Sequence, residues 1–286
     1  MYIGCSIPFS HLTPVDYIGA AARYLETAGF HSMWVPEHVL FFPEYASRYP
    51  YSPTGRVPGE PEGVLDPFTV LTFVAAQTTK IRLGTGVCLV PQRQPVYTAK
   101  MVADLDYLSG GRVDFGVGIG WLEEEFDALG MNFRARATRT VEYLDAMKAL
   151  WTQAPASFEG ATVRIDRAHF HPKPVQKPYP PIHFGGESDA ALDRVVGHGQ
   201  GWYGYDLDPT KARERLDALG AKLRAAGRTR ASVHVSICPN RHPLNRDTVG
   251  AYRDLGIDQL IVPAFATSLD DLKRRIDRIK DTAGIP

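Results

Sequence analysis

The chain has 286 residues, 44% of them hydrophobic, with 32 Lys and Arg against 32 Asp and Glu. That length is ample for a large buried core, and a formal charge of zero lacks the electrostatic footprint of a nucleic-acid or anionic-membrane binder. Cys5, Cys88 and Cys238 lie far apart with no CxxC pair, no run reaches membrane-spanning length, and residues 3–7 lack a signal-peptide pattern, so a reduced cytoplasmic setting is expected.

Two hydrophobic periods alternate along the chain. Residues 2–7 read as a short buried strand. Residues 14–28 carry Val15, Ile18, Ala22 and Leu25 at helical spacing, with Thr13 as N-cap, Pro14 at the first helical position and Gly29 as the stop. Residues 32–35 are strand-like again, and a polar, aromatic, proline-rich stretch then covers 41–65. A connection of that length inside a compact domain points to a functional lid, with a dimer contact as the other reading. Asp66 caps a helix that opens on Pro67 and runs to about 78. Strand 81–89, helix 95–108, strand 112–117, short helix 122–129 and long helix 136–151 follow. A hairpin with loops occupies about 158–174. The remainder alternates strand 181–184, helix 189–198, strand 202–204, helix 209–226, strand 232–237, helix 247–255, strand 259–262 and helix 269–283.

Eight short strands, each followed by at least one helix, imply parallel βαβ units. Their number and spacing predict a (β/α)8 TIM barrel as one domain over 1–286, with an open doubly wound sheet as the competitor because periodicity alone does not show closure. In a barrel, the functional rim is made by the residues that follow each strand. That rim is aromatic, glycine-rich and lightly ionisable, which suits a flat organic cofactor.

Glu37-His38 follows the second strand. An imidazole there can exchange protons near neutral pH, with the neighbouring carboxylate orienting it; the bland alternative is a loop histidine bonded to backbone. Gly84-Thr85-Gly86-Val87 interrupts the third strand, which marks a bulge, a close approach or a packing requirement. Gly116-Val117-Gly118-Ile119-Gly120 fails the dinucleotide fingerprint in spacing and position, and fits a glycine-lined cofactor wall better. The run Glu123-Glu124-Glu125 reads as the start of a solvated helix. Gly185-Gly186-Glu187-Ser188 joins a strand to a helix N-terminus, where free N–H groups can hold a phosphate; a tight capped turn is the alternative. His169-x-His171 lacks accompanying ligands, so no metal site is expected.

These segments, in this order, resemble the luciferase-like monooxygenase superfamily over most of the chain, and within it the F420-dependent oxidoreductases of mycobacterial type. The resemblance rests on Trp34-Val35-Pro36-Glu37-His38, Asp66-Pro67-Phe68, Leu83-Gly84-Thr85-Gly86-Val87, Trp121-Leu122-Glu123-Glu124-Glu125-Phe126 and Phe184-Gly185-Gly186. It implies a barrel that binds F420 or, alternatively, FMN, as a homodimer acting on a small molecule, with a flavin reductase as partner only in the FMN case. It also implies that Glu37 and His38 face the reactive ring, with His38 as proton donor or acceptor, and that Gly86–Val87 is a non-prolyl cis peptide pressed behind that ring. Gly118, Ile119 and Gly120 would lie along the cofactor, while Gly185, Gly186, Glu187, Ser188 and Tyr205 would meet its phosphate-bearing tail. Relatives that oxidise a sugar phosphate carry a glutamate where this chain has Trp121, so that substrate is not implied. Hydride transfer with F420 is the leading reading; an FMN-dependent monooxygenase and a non-catalytic F420-binding protein are the alternatives.

Overall fold

Parallel strands need a crossover between them, and here every long apolar strand is followed by a helix that supplies one. The computed structural model describes residues 1–59, 61–266 and 268–284. Its strands are β1 (Tyr2–Ser6), β2 (Ser32–Val35), β3 (Arg82–Thr85), β4 (Cys88–Leu89), β5 (Val113–Gly118), β6 (Ala156–Glu159), β7 (Arg164–Ala168), β8 (Ile182–Gly185), β9 (Gly201–Tyr205), β10 (His234–Cys238) and β11 (Gln259–Pro263). Among the described residues β1, β2, β3, β5, β8, β9, β10 and β11 pair in parallel and close on themselves. The ring joins at β1 with β11, where Cys5 faces Val262, and continues through β3 with β5, where Leu83 faces Val113. This is the (β/α)8 TIM barrel that the alternation predicts; the open sheet is excluded by closure.

The helices are α1 (Val15–Thr27), α2 (Pro67–Ala75), α3 (Pro95–Ser109), α4 (Glu123–Ala128), α5 (Arg136–Thr152), α6 (Asp189–His198), α7 (Pro209–Ala225), α8 (Arg246–Asp254) and α9 (Leu269–Ala283). Strand side chains alternate between two environments. Met33, Val35, Leu260 and Val262 point outward into the apolar layer beneath the helices, whereas Trp34, Tyr203, Cys238 and Ile261 meet inside the barrel. The Trp34 indole fills that interior so fully that a Cβ on Gly84 would lie 2.3 Å from it. On Gly116 a Cβ would come within 1.9 Å of the Thr85 carbonyl oxygen.

Three boundaries differ from expectation. The third strand is not continuous over 81–89 but breaks into β3 and β4 around a cis Gly86–Val87 bond. Pro14 is the residue before α1 rather than its first residue, because its ψ of 137° is extended; the Thr13 hydroxyl accepts from Ser10 N–H instead of capping. The hairpin is β6 with β7, beginning two residues earlier than predicted and pairing antiparallel beside the barrel.

Candidate active site

The C-terminal ends of the strands gather around Val87. Its two methyl groups occupy the space that side chains would need at Gly118 and Gly185: a Cβ there would lie 2.5 Å from Val87 Cγ2 and 3.2 Å from Cγ1, respectively. The Gly86–Val87 peptide is cis, as the resemblance implies. Gly120 has a φ of +79°, and a Cβ on it would strike the Phe126 ring at 2.7 Å, so close approach fixes glycine at this point. Ile119 lies between these glycines and is half-buried.

The carboxylate that holds His38 is not its chain neighbour, as expected, but Glu125, 87 residues away. Glu37 is buried and turned into the wall, where it accepts from Leu89 N–H at 2.6 Å and Arg93 Nε at 2.5 Å. Arg93 also pairs with Asp66, so this cluster ties the segment after β2 to β4 and to the start of α2. Glu125 is fully buried, which corrects the reading of residues 123–125 as a solvated run. One of its oxygens accepts from His38 Nδ1 at 2.9 Å and Gln92 Nε2 at 3.0 Å; the other accepts from Val39 N–H at 2.6 Å and Leu40 N–H at 3.0 Å. Burial alone would raise this carboxyl, but the His38 bond and the backbone donors hold it below the usual range. An ionised carboxylate only accepts, so His38 Nδ1 carries the proton. On the other side Trp121 Nε1, which only donates, sits 3.2 Å from His38 Nε2. Both neighbours therefore select one neutral tautomer, with the lone pair on Nε2.

The residues after His38 fold back over the rim. Glu124 accepts from Ala46 and Ser47 N–H at 2.5 and 3.2 Å, and Ser47 Oγ accepts from Glu123 N–H at 3.0 Å. A run of ring contacts leads away from the histidine. Its centroid separations are 5.7 Å for His38–Trp121, 5.2 Å for Trp121–Tyr49, 5.5 Å for Tyr49–Tyr51 and 4.7 Å for Tyr51–Tyr205. Thus His38 and Tyr205, predicted separately, are joined by Trp121 and by Tyr49 and Tyr51 of the 41–65 stretch.

Glu187 ends this run, accepting from Tyr205 N–H at 2.7 Å and Tyr51 Oη at 3.0 Å. Burial, opposed by those two bonds and reinforced by Asp206, pushes its carboxyl up to about 7. A carboxyl raised above its ordinary 4.5 holds more protons folded than unfolded between the two values, so stability falls as pH rises through that window. Glu187→Gln is expected to stabilise the fold by on the order of 1 kcal/mol at about pH 8, after screening, and to change nothing near pH 4. Thermal melts at both pH values check this.

The turn before α6 is built as a cap. Ser188 Oγ accepts from Ala191 N–H at 3.2 Å, and Gly186, with φ +103°, has Ala191 Cβ where its own would be, 3.1 Å away. Glu187 faces Tyr51 and Tyr205, and the helix start keeps its open N–H groups. Gly185 and Gly186, without side chains, leave room for a tail beside the start of α6, and the Val87 wall fits a flat ring. Among the described residues no group of three or more His, Cys, Asp or Glu could hold a metal, and His169 and His171 form no such group. Among the described residues no helix is long and apolar enough to cross a membrane.

Glu125, Trp121, Gln92 and Arg93 are the functional neighbours that the expected site lacked. One signal was available for Glu125. It shares the apolar stripe of α4 with Leu122, Phe126 and Leu129, the wrong side for a solvated carboxylate.

A closed parallel barrel with an ionisable, glycine-lined C-terminal rim places the chain among the (β/α)8 barrels whose rim forms the candidate site. Residues 2–278 match the family model described as luciferase-like monooxygenase, and the chain belongs to that family of oxidoreductases. An uncharacterized protein of Mycobacterium tuberculosis is 32% identical over 263 residues, covering 91% of each chain. The FMNH(2)-dependent dimethylsulfone monooxygenase of Pseudomonas putida is 33% identical over 186 residues, 63% of this chain and 49% of that one. The coenzyme F420 dependent tetrahydromethanopterin reductase from Methanopyrus kandleri has the same fold, with a TM-score of 0.76 over 98% of this chain and 97% of that one, at 17% identity.

Proposed function

We propose that the protein is an F420-dependent oxidoreductase that moves a hydride between the deazaflavin and a small organic substrate, with His38 handling the coupled proton. The observation that carries this reading is the fixed tautomer of His38. A neutral imidazole, locked by a buried carboxylate and with its lone pair on the Nε2 that Trp121 covers, is the arrangement a general base requires once that atom is exposed. The Val87 wall with Gly118, Ile119 and Gly120 would take the ring, and the backbone of Gly185, Gly186 and Ser188, with Tyr205 beside it, the phosphate-bearing tail. When bound, F420 supplies the hydride-carrying carbon. Glu37 supports the wall from behind through Leu89 and Arg93, Glu125 orients His38, and the 41–65 stretch excludes water as a lid.

The chain would work in the cytoplasm as a single-domain homodimer. The exposed Tyr97, Tyr107 and Leu108 side chains of α3 support that state, and light scattering of Tyr97→Glu against the parent protein tests it.

The test of function is a parallel titration of purified protein with F420 and FMN, followed by the fluorescence of its four tryptophans. The expected result is micromolar or tighter F420 binding with FMN much weaker. His38→Ala should then keep F420 affinity while losing roughly 10²–10⁴-fold in turnover. The identity to the dimethylsulfone monooxygenase favours a second reading, an FMN-dependent monooxygenase fed by a flavin reductase, and a reversed cofactor preference selects it. Tight F420 binding with no turnover on any hydride donor or acceptor would instead leave a binding protein.

A further inference from the structure

Trp121 sits on the one atom of His38 that a substrate would need. Its indole N–H donates to Nε2 at 3.2 Å, while Nδ1 is engaged by Glu125 at 2.9 Å, so neither ring nitrogen is left for a third partner. Rings from the overlying segment grip the indole from outside: Tyr45 at 5.6 Å and Tyr49 at 5.2 Å between centroids. Phe41 packs against the imidazole itself at 4.7 Å. The main chain carrying those rings is held by Glu124 at Ala46 and Ser47, and by the Tyr51 bond to Glu187. One guanidinium beside this box, Arg56, lies over the Tyr45 ring at 4.3 Å and donates to the Tyr45 carbonyl at 3.0 Å.

We propose that Trp121 keeps the place of the substrate's own hydrogen-bond donor on His38 Nε2, and that substrates are hydroxyl compounds with a neutral, flat or aromatic body that enter by displacing the indole together with Tyr45 and Tyr49. The inference rests on the reading of His38 as the proton-handling residue. Whatever replaces an indole N–H on a lone pair must itself donate. A hydroxyl does so directly, whereas a carbonyl oxygen would face the lone pair until His38 gained a proton. The body must be apolar because the opening left by the displaced rings is bounded by Phe41, Tyr45, Tyr49 and Trp121, and a charged group there would be desolvated without a partner. With oxidised F420 bound to accept a hydride from the carbinol carbon, the hydroxyl proton would pass to His38 Nε2 and the alcohol would become a carbonyl compound. Trp121 is thus a specificity residue.

The test reads the accessibility of Nε2 and needs neither cofactor nor turnover. Diethyl pyrocarbonate acylates a free imidazole nitrogen, and peptide mass spectrometry follows the modification of His38 alone. Trp121→Phe keeps the ring but removes the donor, and is expected to speed modification by about two- to twelvefold, the range that one net hydrogen bond spans. Tyr45→Ala, which loosens the indole without touching His38, should raise the rate as well. In Trp121→Ala, indole and benzyl alcohol should restore protection, whereas 1-methylindole and benzyl methyl ether, matched in shape but without the donor, should not. Equal rates in the parent and Trp121→Phe, or equal protection by the donor and methylated probes, would overturn the proposal. Circular dichroism confirms that each variant is folded, and Trp121→Phe alone decides the donor question if the alanine variant is not. An unchanged turnover in His38→Ala would defeat the functional reading separately, leaving the modification result to stand by itself.

Discussion

Replacing Glu125 with alanine is expected to lower stability by about 3–5 kcal/mol and turnover by at least ~10²-fold, the largest combined effect of any single change at the rim. The substitution strands four donors at once: His38 Nδ1, Gln92 Nε2 and the Val39 and Leu40 amides. All four converge on a carboxylate with no exposed surface, so water does not replace it without opening the segment. His38 would then be free to rotate and to change tautomer, which removes the preorganised base. Because its partners hold the Glu125 carboxyl below the usual range, its contribution is present above the unfolded value. It is lost as pH falls through the lower folded one. Urea denaturation and amide exchange at residues 39 and 40 measure the two parts. An unchanged midpoint with unchanged exchange would show that the carboxylate holds nothing.

Arg93→Met is the second large effect, with an expected loss of about 3–5 kcal/mol, because it leaves the buried Glu37 carboxylate without its counter-charge. The guanidinium also bonds Asp66 at the start of α2 and lies over the Phe68 ring at 5.0 Å, so packing is lost along with charge. Adding Glu37→Gln removes the stranded charge, and the double variant should recover part of the loss. A double-mutant cycle by urea denaturation gives the coupling, and strictly additive effects would rule out the pairing as the source of stability.

The barrel was legible because its information is local. Strands such as 32–35 and 259–263 are short, apolar and bounded by turn residues, and several helices carry their own cap, as Asp66 does by accepting from Thr69 N–H at 2.9 Å. His38 was legible because position after a strand confers meaning in this fold. What holds His38 was not. Glu125 and Trp121 reach it from more than 80 residues away, and adjacency in sequence suggested Glu37, which a strand end turns to the opposite side. The break between β3 and β4 was marked in the sequence by Gly84-Thr85-Gly86-Val87, but its cause was not: only the contacts of Val87 with Gly118 and Gly185 show why the strand parts there.

The indole of Trp34 has a consequence for how such a protein can diversify. With Gly84 pressed on its flank, and Tyr203, Cys238 and Ile261 around it, the space under the rim is solid. No single replacement can dig a deeper pocket without leaving a void, and none can raise the floor at residue 84 without collision. New specificities must therefore be acquired laterally, through the residues of the overlying loops. A randomised library spread over positions 41–59 should yield altered substrates far more often than one aimed at the barrel interior, where 34 and 84 can change only as a pair.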